Sequence, residues 1–170
     1  MNGLLAPVAH VPRVRVDLAG QRLWLLAADG RIEAGFAVST AANGPGERMH
    51  SGCTPRGRHR IRAKIGAAAP VGTVFRGRRP TGETWSPAYA ATQPARDWIL
   101  SRILWLGGLE PGRNRYGDCD SQRRYIYIHG TPDTEPMGVP RSHGCIRMRN
   151  ADVIELFDRV HAGDEVWIAE

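Results

Sequence analysis

The chain has 170 residues, 42% of them hydrophobic and 24% charged, enough for one folded domain with a proper core and too apolar for wholesale disorder. Its net charge of +6 invites a nucleic-acid partner, yet the 23 basic residues, all arginine but Lys64, form no continuous tract. They stand in small groups such as Arg58/Arg60/Arg62, Arg78/Arg79 and Arg123/Arg124, which suits a small anionic substrate better than nucleic acid, and no apolar run approaches the ~20 residues of a membrane-spanning helix.

The first third reads as a meander of short antiparallel strands. Val14, Val16 and Leu18 alternate with polar residues, Ala19-Gly20 turns the chain, and Leu23 and Leu25 alternate again. Ala28-Asp29-Gly30 is a second turn, and Ile32 to Val38 the returning strand. Residues 39–62 are rich in Gly, Ser, Thr, Pro and Arg and read as loop, with a strand re-emerging near Thr54 to Ile61. Residues 66–95, punctuated by Pro and Gly, read as a long surface excursion of the kind that is usually functional or disordered.

Trp98, Ile99, Arg102, Ile103, Trp105 and Leu106 have helical spacing, with Asp97 in the first turn and Gly107-Gly108 as the stop. After a polar loop over 109–124, Tyr125 to His129 is a β-branched and aromatic strand; alternation puts Tyr125 and Tyr127 on the face of His129, where they line a site or pack the core. Asn150 is placed as the N-cap of a helix whose apolar positions are Val153, Leu156, Phe157 and Val160, with Gly163 as its stop and Val166-Trp167-Ile168 as a last strand. There is no internal repeat or low-complexity linker. Residues 1–170 read as a single, mostly β domain.

The chemistry lies between His129 and Asn150. His129-Gly130-Thr131 ends a strand, and Ser142-His143-Gly144-Cys145-Ile146-Arg147 follows a Pro- and Gly-punctuated loop. Acyl transfer by a cysteine needs a thiolate, a base, a group that orients the base, and donors for the oxyanion. Gly144 leaves room for a carbonyl beside Cys145, and an imidazole or nearby arginine lowers a thiol pKa. Either His129 or His143 can be the imidazole partner, although His143 is only two residues from Cys145 and proximity in sequence does not bring their side chains together.

This pattern, together with Thr54-Pro55-x-Gly57 and the Gly163 to Trp167 stretch, resembles the L,D-transpeptidase catalytic-domain (YkuD-like) family. The resemblance implies a mostly β fold, two mixed sheets in a sandwich or barrel-like arrangement with a few helices. It implies attack on the third residue of a peptidoglycan stem peptide, with Cys145 as nucleophile, His129 as general base and Gly130 as the source of the carbonyl that orients it. His143, Gly144 and Cys145 would supply oxyanion donors or supporting hydrogen bonds, Arg147 would hold a substrate carboxylate or brace the loop, and Ser142 would shape the turn. Tyr127 and Thr131 complete the expected substrate-binding set. No cofactor or metal is implied, and the partners are peptidoglycan tetrapeptides rather than nucleic acid or membrane; oligomeric state is not legible.

Water or an amine can resolve the thioester, giving an L,D-carboxypeptidase or an L,D-transpeptidase. Arg96 to Leu106 and His129 to Arg147 resemble the short, cytoplasmic carboxypeptidase branch that serves murein recycling. Met1 to His10 lacks the charge and apolar stretch of an export signal, and three cysteines suggest no disulfide framework, so hydrolysis in the cytoplasm is the expectation. Two rivals belong to other classes. His50, Cys53 and His59, or His129, His143 and Cys145, are zinc-type ligands, and a non-catalytic binder of wall fragments would make no use of the thiol. Cys53, Cys119, His10 and His161 are read as structural or solvated, and Trp85 as a possible cover for substrate.

Overall fold

The computed structural model describes residues 10–170. Its strands are β1 (Val14–Asp17), β2 (Arg22–Leu26), β3 (Ile32–Ala37), β4 (Gly57–Ile65), β5 (Thr73–Arg76), β6 (Arg79–Thr84), β7 (Ile99–Gly108), β8 (Tyr127–Gly130), β9 (Ile146–Met148) and β10 (Glu165–Ala169). Two helices, α1 (Pro87–Ala91) and α2 (Asn150–Arg159), and one 3-10 turn (Gly117–Cys119) accompany them. The chain is mostly β, as expected, and its strands form one continuous ten-stranded sheet that curls into a half-barrel.

The amino-terminal meander forms where alternation places it. Val14, Val16, Leu23 and Leu25 are fully buried on one face, and β1 pairs antiparallel with β2 and parallel with β10. Helix α2 closes that face: Val153, Leu156 and Phe157 pack on Ile128, Ile146 and Leu104. Lys64 holds the far end of the helix, donating to the carbonyls of Phe157 and Val160 at 2.6 Å each, where cationic donors match the exposed carbonyls and the helix dipole.

Three expectations need correction. Residues 98–106 are not a helix; β7 is a central strand with β4 and then β5 along one edge and β8 along the other. Leu100, Ser101, Arg102, Ile103, Leu104 and Leu106 are all buried, and a strand covered on both faces loses the alternation that marks strands in sequence. The 66–95 segment is not a structureless excursion: β5 and β6 form a hairpin, turned through Gly77 and Arg78 at φ 54° and 65°, and α1 follows, its Tyr89 N–H accepted by Ser86 Oγ at 3.1 Å. Asn150 is the first residue of α2 rather than its N-cap. Asp133 supplies the capping carboxylate instead, accepting the Asn150 N–H at 3.1 Å.

Candidate active site

The parallel β8/β9 ladder, with Ile128 beside Ile146 and His129 beside Arg147, sorts the expected site residues by face. Ile126, Ile128, Ile146 and Met148 enter the core under α2. Tyr127, His129, Cys145 and Arg147 therefore share the opposite face, where Tyr127 and the half-buried Cys145 pack with Phe75 and Ile103. The Tyr127 N–H points at Cys145 Sγ from 3.4 Å, and the thiol donates to the Tyr125 carbonyl, also at 3.4 Å. Tyr125 itself lies outside the strand at φ 55° with an exposed ring, so the expected shared face begins at Tyr127.

His129 is buried, and its Nδ1 lies 2.7 Å from the Gly130 carbonyl. A carbonyl only accepts, so Nδ1 carries the proton and Nε2 is left with a free lone pair. The exit from β8 is tightly built. A Cβ on Gly130 would lie 2.4 Å from the Leu100 carbonyl and 2.7 Å from Asn150 Oδ1, so only glycine fits. Asn150 locks the same corner: Oδ1 accepts from Ser101 Oγ at 2.6 Å and Nδ2 donates to the Thr131 carbonyl at 3.0 Å. Thr131 is buried, its N–H on the Met148 carbonyl at 3.0 Å, so its backbone braces the site.

The turn before Cys145 is held from three sides. Ser142, buried, donates through Oγ to the Cys145 carbonyl at 2.5 Å and accepts the Gly144 N–H at 3.2 Å. Thr54 Oγ1 donates to the Gly144 carbonyl at 2.9 Å and accepts the Ala41 N–H at 3.0 Å. Arg124, half-buried, donates to the Cys53 carbonyl at 2.6 Å and the Gly46 carbonyl at 3.1 Å. Gly144 adopts φ 137°, and a Cβ there would meet the Cys53 carbonyl at 3.2 Å and Ile126 Cδ1 at 3.3 Å.

The charges divide unevenly around the thiol. Arg147 is buried and donates through Nη2 to Asp97 at 2.7 Å, while its Nε is buried without a partner. His143 is exposed, its Nδ1 3.6 Å from the other Asp97 oxygen. His143 thus sits on the rim, and His129 is the imidazole on the sheet face of Cys145. Burial pushes the Cys145 thiol up to about 11, against the smaller opposing effects of the Tyr127 N–H, Arg147 and Arg124. The expectation of a lowered thiol pKa is therefore reversed. Burial also pushes His129 below the usual imidazole range, although its bond to Gly130 and the Asp97 carboxylate act the other way. Both effects favour the neutral thiol and neutral imidazole over an ion pair.

A cavity of about 230 Å³ opens beside this turn, lined among others by Met49, His50, Arg123, Arg124, Tyr125 and His143. On its other flank the β5–β6 hairpin lays Arg78 over Trp105 and Tyr125, 4.8 and 4.9 Å from their ring centres, and Arg78 Nη1 donates to the Tyr127 hydroxyl at 3.1 Å. Asp97, Arg124 and Arg78 were not legible as site residues, because each arrives from a distant segment, and Thr54 was legible only as part of the Thr54-Pro55-x-Gly57 match, with no role attached. The zinc-type set His50, Cys53 and His59 is not gathered: His59 is buried between the Gly57 carbonyl and Ser121 Oγ, whereas Cys53 Sγ faces the carbonyls of Asn43 and Ser51. Among the described residues no three His, Cys, Asp or Glu side chains converge as a metal site, and no helix is long and apolar enough to cross a membrane.

Residues 12–168 match the model of the L,D-transpeptidase catalytic domain, and the chain belongs to that family. Solved structures share its fold. An L,D-transpeptidase from Mycobacterium smegmatis superposes with a TM-score of 0.57 at 18% identity, over 94% of this chain and 59% of its own. One from Stackebrandtia nassauensis gives 0.51 at 22% identity, over 92% of this chain and 54% of its own. A curated relative, "Probable L,D-transpeptidase YbiS" of Escherichia coli K12, is 44% identical over 43 residues, 25% of this chain and 14% of that protein. The chain thus spans little more than half of these solved chains and a small part of the curated relative.

Proposed function

We infer that the chain is one catalytic domain that cleaves the L,D bond of peptidoglycan stem tetrapeptides through a Cys145 thioester and passes the acyl group to water. The observation that carries the chemistry is the placement of a carbonyl-oriented imidazole and a thiol on one sheet face, with a backbone N–H directed at the sulfur. His129 Nε2 takes the thiol proton as Sγ attacks the carbonyl of the third stem residue, so the buried thiolate exists only while a covalent bond is forming. The Tyr127 N–H, facing the sulfur, is the donor we assign to the oxyanion; the Gly144 N–H is engaged by Ser142 Oγ. Collapse breaks the C–N bond, and His129 returns its proton to the departing D-Ala amine. Water then attacks the thioester, His129 takes its proton, and the tripeptide carboxylate and free thiol are restored.

The cavity beside Cys145 supports water as the acceptor. At about 230 Å³, with Arg123, Arg124, His50 and His143 in its lining and no carboxylate among the lining residues, it suits a terminal D-Ala carboxylate. The same lining opposes a protonated acceptor amine. Three unpaired cysteines accord with a reducing, cytoplasmic setting.

The test is mass spectrometry of a disaccharide tetrapeptide incubated with the protein and with Cys145→Ala, with and without a free D-amino acid. Loss of D-Ala in water alone, abolished in the variant, is the expected result. Exchange of the terminal residue or dimer formation with little hydrolysis would make the chain a transpeptidase.

A further inference from the structure

The sheet face that carries Cys145 continues across β7 onto β4. Trp105 pairs with Tyr127 on one side and Ala63 on the other, and Arg60 pairs with Gly107. A bulge between Ile61 and Ala63 inserts Arg62, whose side chain crosses Gly107 so closely that a Cβ there would meet its Cγ at 2.7 Å. Strand alternation already sets Arg60 and Arg62 on this face, and the bulge brings Ala63 onto it as well, opposite Trp105. The two arginines, Trp105 and Gln122 line a groove of about 330 Å³, and Arg78 lies over the Trp105 ring at its catalytic end.

Three cations on one path from the nucleophile would be unremarkable if carboxylates neutralised them. Among the described residues none pairs with them: Glu165 stands opposite Arg60 on β10 but is taken by Arg58 at 2.7 Å and by His10 at 2.6 Å, and Glu110 is taken by Arg113 at 2.9 Å. Residues 1–9 contain no acid. Arg60 Nε is buried with no hydrogen-bond partner, an arrangement that costs free energy until an acceptor arrives.

We propose that Arg60 and Arg62, flanked by Trp105 and Arg78, form a subsite for an oxyanion carried by the acyl donor upstream of the scissile bond. Adjacent strands lie about 4.8 Å apart, so the groove is on the order of 10–15 Å from Cys145, roughly three to four extended residues. On the stem-peptide reading, on which this subsite rests for its substrate, that reach covers the first two stem residues and the group they are attached to. A carboxylate of the stem or a phosphate of a nucleotide-linked precursor supplies the same chemistry, and planar guanidinium forks bind either in bidentate fashion.

The test compares wild type, R60Q/R62Q and R60K/R62K on three donors: the free tetrapeptide muropeptide, its analogue with upstream carboxylates amidated, and the nucleoside-diphosphate-linked form. The Gln pair is expected to raise KM about tenfold with kcat within twofold, and the Lys pair to recover most of that loss. A response that disappears on amidation identifies the carboxylate, and one confined to the linked form identifies the phosphate. An unchanged KM on every donor overturns the subsite, as does an equal rise on the amidated analogue. A second readout is independent of turnover: pyrophosphate or N-acetylglutamate should shift the Trp105 indole N–H resonance of the wild type but not of R60Q/R62Q. If that shift is seen while no muropeptide is cleaved, the subsite stands and the stem-peptide reading fails; no shift with either anion removes the subsite.

Discussion

A thiol pushed up to about 11 by burial makes a quantitative statement about how Cys145 meets an electrophile that brings no catalytic geometry of its own. Relative to an ordinary value of 9.0, two units cut the thiolate fraction at neutral pH about 100-fold. The intrinsic nucleophilicity of the more basic thiolate recovers roughly eightfold of this. Iodoacetamide should therefore alkylate Cys145 at pH 7.5 about ten times more slowly than an unperturbed thiol, with the rate still rising beyond pH 10. Asp97→Asn sharpens the test. The Asp97 carboxylate raises both the Cys145 and the His129 pKa, so its removal should speed alkylation at pH 7.5 and move the acid limb of turnover to lower pH. Peptide-resolved mass spectrometry separates Cys145 from Cys53 and Cys119. Alkylation faster than free cysteine, with an inflection below pH 8, would mean a resting thiolate–imidazolium pair and would refute general-base activation by His129.

Other consequences are read by simpler measurements. His59 is pushed down to about 4 by burial from an ordinary 6.5; the stability its neutral ring allows is whole above pH 6.5 and lost as the pH falls to 4, about 3 kcal/mol in all. The urea midpoint should drop over that window, and His59→Gln should flatten the drop. Lys64→Met removes two bonds to the carboxyl end of α2 and should cost about 1–2 kcal/mol, a few degrees in Tm, with turnover unchanged. Gly144→Ala forces a Cβ onto a residue at φ 137° and against the Cys53 carbonyl. Near-native folding with roughly 100-fold lower kcat is expected, because the Cys145 turn must shift.

The parts of this protein that were legible in its residues are those written over short range. Alternation at Val14, Val16, Leu23 and Leu25 marks strands because one face of each is buried, and the His129 and Ser142 to Arg147 segments carry the family pattern because the chemistry needs those side chains on adjacent strands. Burial on both faces hid β7, since a strand with no solvent face has no alternation to show. The hairpin tip at Gly77-Arg78 lacks the usual Asn-Gly signal and so read as loop. Only the folded chain decided that Asp97 meets Arg147, that Arg124 holds the loop behind Gly144, and that a bulge sets Ala63 opposite Trp105 beside Arg60 and Arg62. Tertiary burial likewise decided the direction in which the Cys145 thiol is pushed: a pKa follows from what surrounds the sulfur in space, and most of those surroundings lie far from Cys145 along the chain.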